Sequence, residues 1–373
     1  MAAVAKPVAS PYHSGRKTGS AMTSIETAEN IVRARQADRL RPVRIWLYVV
    51  AALVLLMVVL GGITRLTDSG LSITAWKPVS GTLPPLSDAD WQAAFDAYKL
   101  IPEYRFENLG MSLDEFKFIF WWEWAHRFLG RFIGLAFAVP FVVFLFQRRL
   151  GWSLAAPLAG LFFLGGLQGA LGWWMVSSGL SERVDVSQYR LAAHLAAAAL
   201  LFIALIWVAR RIEPLPHAAG VTSRQRWGAG VLLALILLQI VAGAFVAGLD
   251  AGMGYNTWPL IDGALIPNGL DILQPLWRNL FENALTVQFI HRGIAYVIVL
   301  YLALLLWRQS RAGGIFGGIH AWLPRIALLI LLQLALGIAT LLFSVPISLA
   351  LGHQALAFML AGMTTVYLAD IMR

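Results

Sequence analysis

Four histidines and one glutamate carry the chemistry of this sequence. His126, His194, His291 and His353 each fall one to two turns inside a long apolar segment. Glu123 precedes His126 by three positions, which puts a carboxylate and an imidazole on one helical face. Arg127 and Arg131 follow in the same run, Trp121–Arg131. Ionisable groups inside a membrane span are costly, so they face protein or a site rather than lipid. Imidazole ligates many metals, and a carboxylate beside it can take up a proton or stabilise a cation.

Any one of these histidines alone reads as a hydrogen-bonded core residue. Four at one level, two in each half of the chain, read as ligands. Zinc takes three or four ligands on one ion, and the chain offers no cysteine and no carboxylate cluster to complete such sites. Paired histidines from facing helices of a bundle suit the two axial positions of a heme. Gly165, Gly166, Gly169 and Gly172, with Gly243, Ala244, Ala247 and Gly248, leave room for a flat macrocycle, although close helix packing also uses small residues. Arg127, Arg131 and Arg292 are placed to meet heme propionates. The alternative for them is snorkelling to lipid headgroups. Gln168 and Gln333 are buried amides that satisfy backbone or a histidine N–H.

The elements that must position these residues are membrane helices. The chain has 373 residues, 59% hydrophobic and 13% charged, with a mean hydropathy of +0.69. That composition predicts an all-α integral membrane protein. The absence of cysteine excludes disulfides, iron–sulfur clusters and thiolate nucleophiles. The net charge of +9 lies in short loops beside spans, which fits the positive-inside rule and argues against nucleic acid as a partner. Hydropathy predicts eight spans, near 45–63, 119–146, 154–176, 189–209, 228–248, 284–307, 321–343 and 348–370. The loops at 147–152, 210–227 and 308–320 are basic; those at 64–118 and 249–283 are long, mixed in charge and belong outside. Both termini then lie in the cytoplasm. Residues 1–41 read as a disordered tail, in which Glu26 and Glu29 argue against a transit peptide.

An internal repeat organises the spans. A shift of 182 lays Gly61, Asp68, Gly70, Trp76, Gly81, Leu83 and Pro85 over Gly243, Asp250, Gly252, Trp258, Gly263, Leu265 and Pro267. A shift of 165 lays Glu123, His126 and Arg127 over Gln288, His291 and Arg292, and Gln168 over Gln333. The difference falls in an outer loop, where length changes cost little. The reading is two tandem pseudo-symmetric four-helix bundles, residues 42–209 and 228–373, joined by a linker at 210–227. The halves differ where Glu123 faces Gln288, because glutamine can neither exchange a proton nor carry charge. The first bundle is therefore expected to be reactive and the second to hold a permanent electron-transfer heme.

With these motifs in hand the chain resembles the heme A synthase family over nearly its whole length after the tail. The resemblance rests on the paired halves, one histidine in each even span, Glu123-x-x-His126-Arg127, the run Gly61–Thr67 and Gln288-x-x-His291-Arg292-Gly293. It implies oxidation of the C8 methyl of heme O to a formyl group by successive hydroxylations with loss of water, giving heme A for cytochrome oxidase. It further implies that His291 and His353 ligate a resident heme b. His126 and His194 would flank the substrate heme, with Glu123 assisting by stabilising a carbocation-like intermediate. Some members carry a cysteine pair in the first outer loop. This chain has none and resembles the cysteine-free branch of mitochondria and related bacteria, which leaves its electron donor or acceptor unidentified. Heme O synthase and cytochrome oxidase assembly factors are the implied protein partners, a homo-oligomer is left open, and a bacterial inner membrane is the implied location.

Two rivals remain at the level of sequence. An electron-transfer b-type cytochrome would need hemes near both faces, whereas all four histidines lie near one. A duplicated-bundle transporter would use broken helices, and no span reads as broken.

Overall fold

The computed structural model describes residues 18–77, 80–181, 183–214, 220–311 and 321–373, with backbone alone over 18–36. Among the described residues eight helices are long and apolar enough to cross a membrane. They are α1 (Thr18–Leu66), α2 (Leu113–Phe146), α3 (Trp152–Val176), α4 (Gln188–Arg211), α5 (Ser223–Gly248), α6 (Ala284–Arg311), α7 (Trp322–Leu342) and α8 (Ile347–Ile371). The fold is all-α, as hydropathy predicts.

Two helix starts differ from the sequence expectation. Helix α1 begins at Thr18, so residues 18–41 are helical rather than a disordered tail. The stretch holds strong helix formers such as Ala, Arg, Glu and Gln, and extending an existing helix avoids the cost of a new nucleus. Residues 1–17, with His13, and likewise His217 and His320, lie outside the described residues. Helix α2 begins at Leu113, well before position 119. Ser112 and Glu115 close a capping box there, with Ser112 N donating to Glu115 Oε2 at 2.7 Å. The extra turns carry Phe116, Ile119 and Phe120 into an apolar cluster with Leu71, Phe95, Tyr98 and Val186. That cluster caps one end of the molecule, with a short helix Asp88–Tyr98 laid across it.

Each set of four consecutive spans closes into a ring. Helix α1 packs on α2 and α4, and α3 packs on both of those; α5 packs on α6 and α8, and α7 on both of those. The rings meet where α4 touches α5 and α8, and where α1 touches α8. Leu47, Leu158, Leu205, Leu232, Ile326 and Phe358 are fully buried in the shared core.

Polar contacts fasten this seam at both ends. At the capped end Arg65, next to the last residue of α1, reaches both halves. Its Nη1 lies 3.2 Å from Asp68 Oδ1, and its Nη2 lies 2.8 Å from Asp250 Oδ2 and 3.3 Å from the Ala247 carbonyl. Asp68 and Asp250 are repeat counterparts, and both adopt the left-handed conformation, with φ of 48° and 47°. Ala247 is itself the counterpart of Arg65. At the far end Arg210 of α4 holds Asp370 of α8 through two parallel bonds of 2.7 and 2.8 Å.

Candidate functional site

The helices bring every one of the four histidines against a glycine of the preceding span. A Cβ added at Gly61 of α1 would stand 3.0 Å from His126 Nε2, and one at Gly172 of α3 would stand 3.3 Å from His194 Cε1. In the second ring the pairs are Gly243 of α5 with His291, at 3.2 Å, and Gly337 of α7 with His353, at 2.8 Å. At Gly337 a Cβ would force the ring to shift, and at the other three the imidazole would have to give by a few tenths of an ångström. Gly165, Gly166 and Gly169 behave differently and meet nothing within 4 Å.

The rings of His291 and His353 lie 6.5 Å apart between centroids, at 74° to one another. An imidazole nitrogen bonds a metal at about 2 Å, so two rings on opposite sides of one ion stand roughly 6 Å apart. The spacing is that of two rings flanking one metal, with His291 Nε2 3.2 Å from Gln239 Nε2 and His353 Nε2 3.4 Å from Gln333 Nε2. Among the described residues no group of three or more His, Asp or Glu side chains comes together as a metal cluster, so the donor set suits a metal whose other bonds come from a macrocycle.

Amides support three of the four histidines. Gln239 Nε2 donates to the His291 carbonyl at 3.0 Å and Gln333 Nε2 to the His353 carbonyl at 3.0 Å, while Gln168 reaches the His194 carbonyl at 3.5 Å. His126 has no such glutamine, because Met57 stands where the repeat places Gln239. The Nδ1 atoms of His194, His291 and His353 are buried without a hydrogen-bond partner, as expected of rings whose polar atoms serve a further group.

The acidic and basic residues sort differently from the sequence expectation. Glu123 is 2% exposed and turns toward the capping segment rather than toward His126. Its Oε2 accepts from Ser72 Oγ at 2.7 Å and from Ile73 N at 2.6 Å, and its Oε1 accepts from Arg127 Nε at 3.0 Å and Nη2 at 2.6 Å. Arg127 is used up by this arrangement, since it also donates to the carbonyls of Ile73 and Ala75. Arg131 donates to the Lys77 carbonyl at 3.0 Å. In the second ring Gln288 and Arg292 both donate to the carbonyl of Tyr255, the repeat counterpart of Ile73, at 3.0 and 3.1 Å. Arg292 keeps Nε and Nη1 buried with no partner. Of the three arginines it is the one whose donors best suit a propionate.

Sequence reasoning missed Gly337 and Gln239. Gly337 could have been found, since the 165 shift that maps Gln168 to Gln333 also maps Gly172 to Gly337. Gln239 had no repeat signal because its counterpart is Met57.

Comparison with known proteins bears on the same residues. A family model described as cytochrome oxidase assembly protein, COX15-CtaA, matches residues 44–365. Heme A synthase of Azorhizobium caulinodans is 57% identical over 316 residues, covering 84% of this chain and 89% of the relative. Heme A synthase of Rhodopseudomonas palustris strain HaA2 is 55% identical over 337 residues, covering 86% and 89%. That of Bradyrhizobium diazoefficiens is 56% identical over 321 residues, covering 85% and 88%.

Proposed function

Because this chain belongs to the COX15-CtaA family of cytochrome oxidase assembly proteins, we propose that it is a heme A synthase, oxidising the C8 methyl of heme O to a formyl group. The observation that carries the reading is the set of four glycine–histidine contacts, two in each ring, at repeat-related places. Heme O is the substrate and heme A the product. The bilayer is its medium, for the chain is a multi-pass membrane protein with bacterial relatives. We place it in the inner membrane with both termini in the cytoplasm, from the basic loops at 147–152 and 308–320.

His291 and His353 would hold a resident heme b, and Arg292 would offer Nε and Nη1 to a propionate. Iron held between two imidazoles supplies reversible one-electron chemistry when bound. His126 and His194 flank the pocket for the substrate heme in the first ring, where their glycines hold them. Glu123 and Arg127 clamp residues 72–75 over the capped end of that ring, which limits the entry of water. Glu123 thus serves the first pocket as a positioning group, its carboxylate paired with Arg127 where the second ring has a neutral amide.

The test is extraction and chromatography of bound hemes from the wild type and Glu123→Gln, each expressed with a source of heme O. The expected result is accumulation of heme O or a hydroxylated intermediate in the variant, with an unchanged content of heme b. Full conversion to heme A by Glu123→Gln would overturn the role of Glu123. Absence of any heme from the wild type would overturn the function.

A further inference from the structure

An apolar groove of about 420 Å³ runs along α3 and α4 where the first ring meets the second. Its upper end is marked by Leu171 and Ala197. Leu171 adjoins Gly172, the residue packed on His194, and Ala197 lies one turn beyond His194 on α4. From there the groove passes Ala204 and ends at Trp207, moving away from the capped end. The ten helical steps from Ala197 to Trp207 cover about 15 Å of helix. Ala197 and Ala204 are seven apart and share a face, so their small side chains open α4 along one line.

The second ring is built otherwise at the same places. Counted from His353 as these are from His194, the counterparts of Ala197 and Ala204 are Leu356 and Met363. Leu356 is buried and Met363 packs against the core. Larger side chains therefore stand at these two places beside the second histidine pair. The chemistry of the two hemes differs in the same sense. Heme O carries a long isoprenoid chain where heme b carries a vinyl group, on the side of the macrocycle away from the propionates. The guanidinium of Arg131 reaches the Lys77 carbonyl of the capping segment, so a porphyrin with its propionates on that basic side directs its tail toward the end that the groove follows.

We propose that this groove receives the isoprenoid tail of the substrate heme, and that Ala197 and Ala204 make the first ring selective for heme O. The proposal rests on the reading of His126 and His194 as the substrate pocket. Lipid is as apolar as the groove, so the groove adds a fixed path for the chain rather than a hydrophobic gain. Filling the path should block the tail and leave the macrocycle untouched.

The experiment imports the residues of the second ring. Full-length wild type, Ala204→Met and the double variant Ala197→Leu/Ala204→Met are purified with their resident heme, whose absorbance reports that the fold is intact. Each is titrated with heme O and, separately, with heme b, following the Soret band. The expected result is at least a tenfold loss of affinity for heme O in the double variant, a smaller loss in Ala204→Met, and no change for heme b. Equal binding of heme O by all three proteins would mean that the tail lies in bulk lipid, and would overturn the proposal. Parallel loss of both hemes in Ala204→Met, whose substitution lies remote from His194, would overturn it as well. His126→Ala and His194→Ala form a separate arm: unchanged heme O binding there would remove the pocket assignment itself, whatever the groove variants do.

Discussion

Gly337 and His353 approach so closely that a single methyl group on the glycine would stand 2.8 Å from the imidazole ring. The approach is tighter than an ordinary contact and the neighbour is a ring hemmed in by Gln333. Gly337→Ala should therefore push His353 off its axis, at a cost of about 1–3 kcal/mol for an overpacked interior. The expected outcome is loss of most of the heme b proposed for the second ring, read from the absorbance of purified protein. Gly165→Ala is the control, since nothing lies within 4 Å of a Cβ there. Its heme content should match the wild type.

Glu123 and Gln288 occupy equivalent places but meet opposite groups. Glu123 accepts from Ile73 N, whereas Gln288 donates to the Tyr255 carbonyl. Gln288→Glu would set an acceptor against an acceptor and leave the Tyr255 carbonyl with Arg292 as its donor, costing about 1 kcal/mol for the lost bond. We expect a lower melting temperature and loss of heme from the second ring, measured by thermal unfolding with absorbance. A variant as stable as the wild type would show that Tyr255 can turn its carbonyl elsewhere.

Burial pushes the Glu103 carboxyl up to about 8, and the negative charge of Asp68 adds to the effect. Tyr98 Oη lies 3.3 Å from its Oε1, Oε2 is buried without a partner, and Glu123 and Asp185 face it as further negative charges. Between the ordinary carboxyl value of 4.5 and about 8 the folded state keeps a proton that the unfolded state has lost. Stability contributed by this group should therefore fall as pH rises through that window and level off above it. Thermal unfolding from pH 5 to 9 should show the slope, and Glu103→Gln should flatten it and unfold at a higher temperature at the alkaline end.

Arg210 and Asp370 hold α4 to α8 at the end of the molecule away from the histidines. Both are largely buried, so Asp370→Asn leaves a guanidinium without its bidentate partner. Breaking such a pair costs about 3–5 kcal/mol, less what Glu213 recovers by its own contact with Arg210. The expected outcome is a melting temperature lowered by several degrees with heme spectra unchanged, because the histidine pairs lie far along the helices.

Much of this architecture can be read from residues alone, and the exceptions have physical reasons. The eight spans and the repeat are written in hydropathy and in matched Gly, Asp and His positions, which depend on sequence at short range. The four histidines stand out because they share one level, two in each half, where any one alone would read as a core residue. The glycine under each ring does not stand out, since helix packing uses the same residue. Gly337 differs from Gly165 only in what faces it. Arg127 was expected beside a propionate but is bound to Glu123 and to the carbonyls of Ile73 and Ala75. That commitment depends on how a loop folds back over α2, which no periodicity encodes. The early start of α2 is a case where the signal lay in plain view. Ser112 and Glu115 form a capping box, a signal that a span boundary drawn from hydropathy does not use.

Arg65 has a consequence for the ancestry of the molecule. A duplicated unit that still paired with its own copy would carry the same fastening twice, once on each side of its axis. Here a lone guanidinium reaches across to the aspartate and the peptide carbonyl of the opposite copy, and alanine sits where its twin would be. The two copies have become left and right hands of one joint. Neither could replace the other in a homodimer without leaving the seam either unfastened or crowded with like charge.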